Sequence, residues 1–374
     1  MSRILTINCG STSTKVAWFD DDREVARASL DVPLADLAGM PKVLDQTGYR
    51  TAQVREFLHA NELDAATADI VVARAGTIHH VRHDGAYAVN DLMVATLTYA
   101  PAAQHASALS CLIGVELVAG TDIPVIIYDP TCVDSVDEIA KLTGVPEIVN
   151  MPVYHLLNPK AAGHRYAASI GRGYADLNLV IAHLGGGITM AFHDHGRVVD
   201  WIYDDGGPMS PQRAGGIPTR FLTDFIYTSG MTQAQMRMYL AGKAGVAAHL
   251  GTQDLREVEL RIAAGDSHAE LVYRAMAYGV AKGIGQLATV RAGKVDQIIL
   301  TGGIAHSDLF TGWVRELVEW IAPVTILPGE HEMEALAAGG LRVLRGEEFV
   351  RDYDVYPPGY SSIEELAAHP SFLA

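Results

Sequence analysis

The sequence has little cysteine: three residues in 374, at Cys9, Cys111 and Cys132. An odd count with no C-x-x-C spacing excludes a disulfide framework and a cysteine-built zinc site, and it points to a reducing, cytoplasmic location. Positive charge is also scarce, with 28 Lys and Arg against 44 Asp and Glu and a net charge of −16. That balance argues against nucleic acid or an anionic membrane surface as a partner, although a few cations gathered at one site can still bind a small anion. Long apolar runs are missing. The richest stretch, 106–128, is interrupted by Glu116, Asp122 and Pro124, so no membrane span is expected. The start, MSRILTINCGS, has one early Arg and a short apolar alternation, unlike a signal peptide. The patterns G-x-x-x-x-G-K-[ST], G-x-S-x-G and H-E-x-x-H are absent, which leaves Walker-type, nucleophile-elbow and zincin chemistry without support. No low-complexity tract and no short-period repeat array is present.

What is present is 49% hydrophobic and 19% charged, the composition of a globular chain, and the length predicts two domains. Residues 4–8, 15–20 and 25–30 read as three strands around two turns. Val54, Phe57 and Leu58 have helical spacing within 51–63. Residues 70–73 and 125–128 are continuous apolar runs of the kind buried in parallel sheets, ending at Arg74 and Asp129. A helix is expected over 100–119 with Pro101 in its first turn, and a short one after a capping box of Ser135 and Glu138. The three-strand device returns about 175 residues later, at 179–183, 188–193 and 197–202. Asn8 then matches His183, and Gly10 matches Gly185. Two hairpins can look alike by chance; the more specific alternative is a duplicated α/β domain. Further on, a helix over 267–290 opened by Ser267 and Glu270, a strand at 298–300, a helix over 307–320, a strand at 324–327 and a helix over 333–345 are expected.

Arg74, Asp129, His183 and Gly302-Gly303 all lie where a buried strand ends, the place where open α/β sheets put ligands. The loop Gly10-Ser11-Thr12-Ser13-Thr14-Lys15 offers amides, hydroxyls and an ammonium suited to phosphate oxygens; it serves equally as a solvated turn. Gly185-Gly186-Gly187 admits a close ligand or simply a tight turn. Arg74 can hold a carboxylate or phosphate bidentately, or form a structural ion pair. Arg213 sits in a long glycine- and proline-containing loop, a place for function and equally for a surface arginine. His155 and His183 can donate to phosphoryl oxygens or be satisfied core histidines. Glu332 and Glu334 flank Met333 at a helix start, where a carboxylate can hold Mg²⁺ through water or complement the helix dipole. Cys9 is read as a small buried residue without chemistry.

With these motifs in order, the chain resembles the acetate/butyrate kinase family, and within it the butyrate and branched-chain fatty-acid kinases. The resemblance rests on Ile7-Asn8-Cys9-Gly10-Ser11-Thr12-Ser13-Thr14-Lys15, Ala182-His183-Leu184-Gly185-Gly186-Gly187-Ile188, Ser210-Pro211-Gln212-Arg213, Leu300-Thr301-Gly302-Gly303-Ile304-Ala305, and Pro328-Gly329-Glu330-His331-Glu332-Met333-Glu334-Ala335-Leu336-Ala337. It covers nearly the whole chain. It implies an α/β fold of two duplicated ribonuclease-H-like domains, as in actin and the sugar kinases, with a cleft between them. The domains would be 1–153 and a nucleotide-binding 154–346, with a C-terminal helical segment at about 347–374 packed back on the first. It implies an ATP-dependent carboxylate kinase, a short-chain fatty acid plus ATP giving acyl phosphate plus ADP by in-line, Mg²⁺-assisted transfer. The implied partners are the carboxylate, ATP/ADP and Mg²⁺, in a homodimer with no nucleic acid or membrane.

By motif, the resemblance places Asn8 and Glu332 near Mg²⁺. Lys15, with Ser11, Thr12 and Ser13, would face the phosphates. Arg74 would contact the substrate carboxylate, Asp129 matches the active-site acid, His155 a histidine that stabilises the transition state, and Arg213 the group that stabilises the transferring phosphoryl. His183, Gly185, Gly186 and Gly187 would line the ATP phosphates; Asp254, Leu255 and Arg256, with Gly302, Gly303 and Ile304, the adenosine side. Arg74-Ala75-Gly76 replaces Arg-Gly-Gly, Asn8-Cys9-Gly10 replaces Asn-Pro-Gly, and Tyr203-Asp204-Asp205-Gly206-Gly207 is atypical. These departures bear on the identity of the acid, whereas Gln104-His105-Ala106-Ser107 is of the butyrate type. The alternatives are an acetate or propionate kinase, a sugar-type kinase with Asp129 as base, and a non-catalytic, actin-like nucleotide-binding protein.

Overall fold

Eleven runs of β-branched and aliphatic residues form two sheets in the computed structural model, which describes residues 1–33, 35–37, 39–40 and 42–370. The first sheet holds β1 (Arg3–Cys9), β2 (Ser13–Asp20), β3 (Arg23–Asp31), β4 (Ile70–Ala73), β5 (Ala86–Ala88) and β6 (Val125–Tyr128), in the order β3-β2-β1-β4-β6-β5. β1, β4 and β6 run parallel, while β2, β3 and β5 join antiparallel. The continuous apolar β4 and β6 are buried at every residue, as central parallel strands must be. The second sheet holds β7 (Asn178–Leu184), β8 (Ile188–Asp194), β9 (Arg197–Ile202), β10 (Gln297–Gly302) and β11 (Val324–Pro328), in the order β11-β10-β7-β8-β9. Both sheets thus place an antiparallel triplet beside two parallel strands. Even the break in register recurs at the matching place, between Trp18 and Phe19 in one and between Phe192 and His193 in the other. The repeat expected from the sequence is a repeat of topology.

The chain divides into two compact units, Met1–Asp134 with the returning segment from His331, and Ser135–Glu330. The segment 135–153 and the helix Glu332–Leu344 therefore fall on the other side of the 153/346 division expected from the sequence. Residues 371–374 of the expected C-terminal segment lie outside the described residues.

Strand alternation sorts each sheet into two faces. In the first unit Leu5, Ile7 and Val71 pack with Val54, Phe57, Leu58 and Ile113 from the helices Thr47–Ala60 and Leu109–Leu117. The alternate residues face the helix Glu332–Leu344, which is seated closely. A Cβ at Gly340 would meet Val72 Cγ2 at 2.7 Å, and one at Gly339 would meet the Tyr128 ring at 2.5 Å. In the second unit Val180, Ala182 and Leu300 pack on the long helix Ser267–Ala288, and Leu179, Ile181 and Ile299 on Leu157–Ser169. Among the described residues no helix is long and apolar enough to cross a membrane.

Three local expectations are corrected. The helix expected over 100–119 starts only at Leu109, after a 3-10 turn at Ala106–Ala108. Ala100, restricted by Pro101, instead ends a helix at Asp91–Tyr99, and the His105 side chain accepts the Ser107 N–H at 3.2 Å. Ser135 caps nothing: its hydroxyl donates to the Val198 carbonyl, and Asp137 precedes the short helix Glu138–Lys141. At Ser267–Ala288 the cap is Asp266, whose carboxylate accepts from the His268 and Ala269 N–H groups.

Candidate active site

In the first unit, Asn8 lies near the end of β1, Arg74 directly follows β4, and Asp129 directly follows β6. Three expected residues therefore meet at the carboxyl ends of adjacent parallel strands. Period-two alternation puts Asn8 and Arg74 on the face covered by Glu332–Leu344, and the register sets Lys15 directly across from Asn8. Glu332, the first residue of that helix, gathers them. Asn8 Nδ2 donates to Glu332 Oε2 at 2.7 Å, Lys15 Nζ stands 3.8 Å from the same oxygen, and the Arg74 guanidinium forms an ion pair with Oε1. The Arg74 and Glu332 side chains are 20% and 16% exposed, whereas Lys15 reaches outward at 45%.

Asp129 is buried and takes a left-handed backbone, φ 45°, uncommon for a residue with a side chain. The conformation is held by a clasp in which Asp129 N donates to Gly85 O at 3.0 Å and Gly85 N donates to Asp129 Oδ1 at 2.8 Å. Beside this cluster, burial and then the Arg74 and Arg50 charges hold the His105 imidazole below the usual histidine pKa.

In the second unit, His183 sits near the end of β7 with Thr301 of β10 opposite. Asn158 Nδ2 donates to His183 Nδ1 at 3.1 Å and approaches Thr301 Oγ1 at 3.4 Å, while His183 Nε2 is 3.8 Å from Glu330 Oε1. His155 stacks on His183 with ring centroids 4.4 Å apart. Thr189 Oγ1 accepts the His155 backbone N–H at 3.3 Å and meets its Nδ1 at 3.0 Å. A hydroxyl that donates to Nδ1 puts the ring proton on Nε2.

Arg213 lies against the glycine loop, and a Cβ at Gly187 would stand 2.7 Å from its guanidinium carbon. Asp204 forms an ion pair with Arg213, and its other oxygen accepts the Ile188 N–H at 3.1 Å. Tyr203 Oη lies 3.3 Å from the guanidinium. The Ser210 hydroxyl ties this loop to Gly186 O at 2.7 Å. Gly302 exchanges backbone hydrogen bonds with Gly329 at 3.0 and 3.3 Å, and Gly303 and Ile304 begin the turn after it.

Asp254, Leu255 and Arg256 form a helix start. Asp254 caps the helix Leu255–Ala263 and pairs with the largely exposed Arg256 at 2.8 Å. That pairing, followed by the Arg256 N–H, lowers the Asp254 carboxyl to about 2. Cys9 is buried, and burial raises its thiol pKa.

Four supporting residues went unrecognised in the sequence: Arg50, Asn158, Thr189 and the positioning part of Asp204. Arg50 carried a signal, since it lies four and seven residues before Val54 and Phe57, on a face that otherwise reads as apolar. Asn158 and Thr189 carried none, because their partners are distant in sequence.

The model of the acetokinase family matches residues 153–319. A relative from Coprothermobacter proteolyticus named "Probable butyrate kinase" is 42% identical over 94% of this chain and 99% of its own length. "Probable butyrate kinase 2" from Caldanaerobacter subterraneus subsp. tengcongensis is 40% identical over 94% of this chain and all of its own. Among solved structures, acetate kinase from Porphyromonas gingivalis superposes with a TM-score of 0.75 at 18% identity, covering 92% of this chain and 100% of that one. A propionate kinase from Francisella tularensis gives 0.70 at 17% identity, covering 91% and 99%. At those identities the structures establish the fold.

Proposed function

The chain belongs to the acetokinase family, and from that premise we propose that it transfers the γ-phosphoryl group of ATP to the carboxylate of a short-chain fatty acid of the butyrate class. The names of the near-full-length relatives support the substrate class. The observation that carries it is Arg74, a mostly buried guanidinium at the end of β4, in the first unit's cluster of Lys15, Asn8 and Glu332.

A fatty carboxylate is ionised at neutral pH, with a pKa of roughly 4–5, and is already a nucleophile. What it lacks is a way to approach another anion. Unit charges about 4 Å apart repel by about 4 kcal/mol at an effective dielectric of 20. In this proposal Arg74 holds the carboxylate in its planar fork and orients it. Lys15 and the 11–13 loop take phosphate oxygens, as do His183 and Gly185-Gly186-Gly187. Arg213 and His155 stabilise charge developing on the transferring group. Arg213 is aimed by Asp204 and Tyr203, and His155 is fixed by Thr189. Asp129 acts as an orienting group rather than a base, because an already ionised carboxylate gives up no proton on attack; one of its own oxygens is engaged by Gly85. The adenosine side falls to Gly302, Gly303 and Ile304, with Asp254, Leu255 and Arg256.

No group of three or more metal-ligating side chains occurs among the described residues. Mg²⁺ does not require one, since it binds one or two protein oxygens plus phosphates and water. The oxygens of Glu332 and Asn8, side chains joined at 2.7 Å, suit it. When bound, Mg²⁺ supplies neutralisation of the nucleotide phosphates. The proposal includes a cytoplasmic location, in keeping with three buried free thiols. It also includes a homodimer, for which the exposed Phe221, Phe225 and Ile226 of the helix Thr219–Thr228 offer an apolar face.

The test is trapping of acyl phosphate by hydroxylamine with MgATP and acetate, propionate, butyrate, isobutyrate or hexoses. Butyrate or isobutyrate should yield the most hydroxamate. Hexose phosphorylation without hydroxamate would replace the proposal with a sugar kinase, and ATP binding without turnover with a non-catalytic protein.

A further inference from the structure

Arg50 is fully buried, an unusual place for a guanidinium. It sits in the helix Thr47–Ala60, beneath the loop that follows β1. One terminal nitrogen donates to Gly10 O at 3.0 Å, Ser13 O at 3.2 Å and Thr14 Oγ1 at 3.0 Å; the other reaches Ser11 O at 3.4 Å. The side chain of Gln46 completes the set, accepting from Nε at 3.1 Å and from a terminal nitrogen at 3.0 Å. All of these partners are neutral, and no ion pair to Arg50 occurs among the described residues. A buried charge is normally paired, because its desolvation is costly.

The geometry has a second effect. A trans peptide points its C=O and its following N–H in opposite directions. Drawing the Gly10 and Ser11 carbonyls onto the guanidinium turns the Ser11 and Thr12 N–H groups away from it, at two exposed residues. The loop therefore presents amide hydrogens and hydroxyls outward over a buried positive charge, the arrangement of an anion-binding nest.

We propose that Arg50 is a positioning residue for anion binding by the 10–15 loop, and that the counter-charge it lacks is the phosphate bound on the outer side of that loop. This rests on the kinase proposal, in which the loop faces the nucleotide. Arg50 touches neither substrate; it acts through the carbonyls it gathers and through its field.

The decisive variant is Gln46→Glu. It keeps the size and the acceptor oxygen at position 46 but gives Arg50 an internal counter-ion. Pyrophosphate binding, followed by titration calorimetry and by the ligand-induced rise in Tm, should weaken on the order of tenfold. The KM for ATP should rise by a similar factor, with the KM for the carboxylate unchanged and the unliganded Tm equal or higher. Arg50→Lys keeps the charge and loses the fork, so it should bind pyrophosphate more tightly than Gln46→Glu does. A merely structural Arg50 would leave Gln46→Glu with wild-type pyrophosphate affinity. That result, equal losses for ATP and carboxylate, or the reverse order of the two variants overturns the proposal. If Gln46→Glu weakens pyrophosphate as expected while the wild-type protein phosphorylates no acid, the kinase proposal falls and the role of Arg50 stands.

Discussion

Replacing Glu332 by glutamine should tighten the binding of a carboxylic acid and at the same time slow its phosphorylation. Glu332 is an internal partner of Arg74, the two side chains being 16% and 20% exposed. Two unit charges about 4 Å apart attract by about 4 kcal/mol at an effective dielectric of 20. Solvent screening and the cost of desolvating both groups reduce the net value of such a pair to about 1–2 kcal/mol. An incoming carboxylate must share Arg74 with Glu332, so this net value opposes binding. In the Glu332→Gln variant the neutral side-chain amide would still accept the Asn8 N–H now donated to the carboxylate, while the competing charge at position 332 is removed. The Kd of butyrate for the nucleotide-free protein should fall by about 5–30-fold, since 1.4 kcal/mol is tenfold. Turnover should fall by about 10²-fold, because the variant gives up the charged oxygen proposed to hold Mg²⁺. Titration calorimetry without nucleotide gives the first quantity and hydroxamate formation the second. Weaker acid binding, or undiminished turnover, would refute the reasoning.

Other outcomes follow from the same geometry. Arg213→Ala should lower kcat by about 10²–10³-fold with little change in the KM for ATP, and a mainly KM effect would remove it from the transition-state role. Asp204→Asn, which loosens the same guanidinium, should lower kcat in the same direction by a smaller factor, checked by steady-state kinetics. Because His105 has its folded pKa depressed below 6.5, its unfolded form binds a proton first. Stability should therefore be complete above that pH and decline as pH falls below it, and His105→Gln should flatten urea midpoints measured across the interval. All three thiols are buried with raised pKa values, Cys111 up to about 12. A thiol reagent should find none of them in the native protein at pH 8 and all three after denaturation.

Strands and strand ends were legible from local pattern alone. Burial on both faces forces the apolar runs before Arg74 and Asp129, and alternation with small polar turns marks both triplets. Helix starts were less legible, because a cap depends on which oxygen wins a backbone N–H. Ser267 and Asp266 compete one residue apart, and the carboxylate wins. Candidate site residues were legible where a motif names its own residue, as with Arg74, His183 and Arg213. The contacts that hold these residues were not legible where the partner is distant: Thr189 lies 34 positions from His155, and Asn158 lies 25 from His183. Arg50 lay between these cases, visible as a charge on an apolar face but without a sign of what it would hold.

The first unit is discontinuous, and this has a consequence for synthesis. While the ribosome is still making residues 135–330, the nascent N-terminal sheet has one bare side along Ile4, Val72 and Tyr128, and Arg74 has no acidic neighbour at position 332. Only when the helix Glu332–Leu344 has emerged from the tunnel can that side be covered. A chain released early would expose a sticky β surface, so its fate would be capture by chaperones or clearance by proteases rather than partial activity.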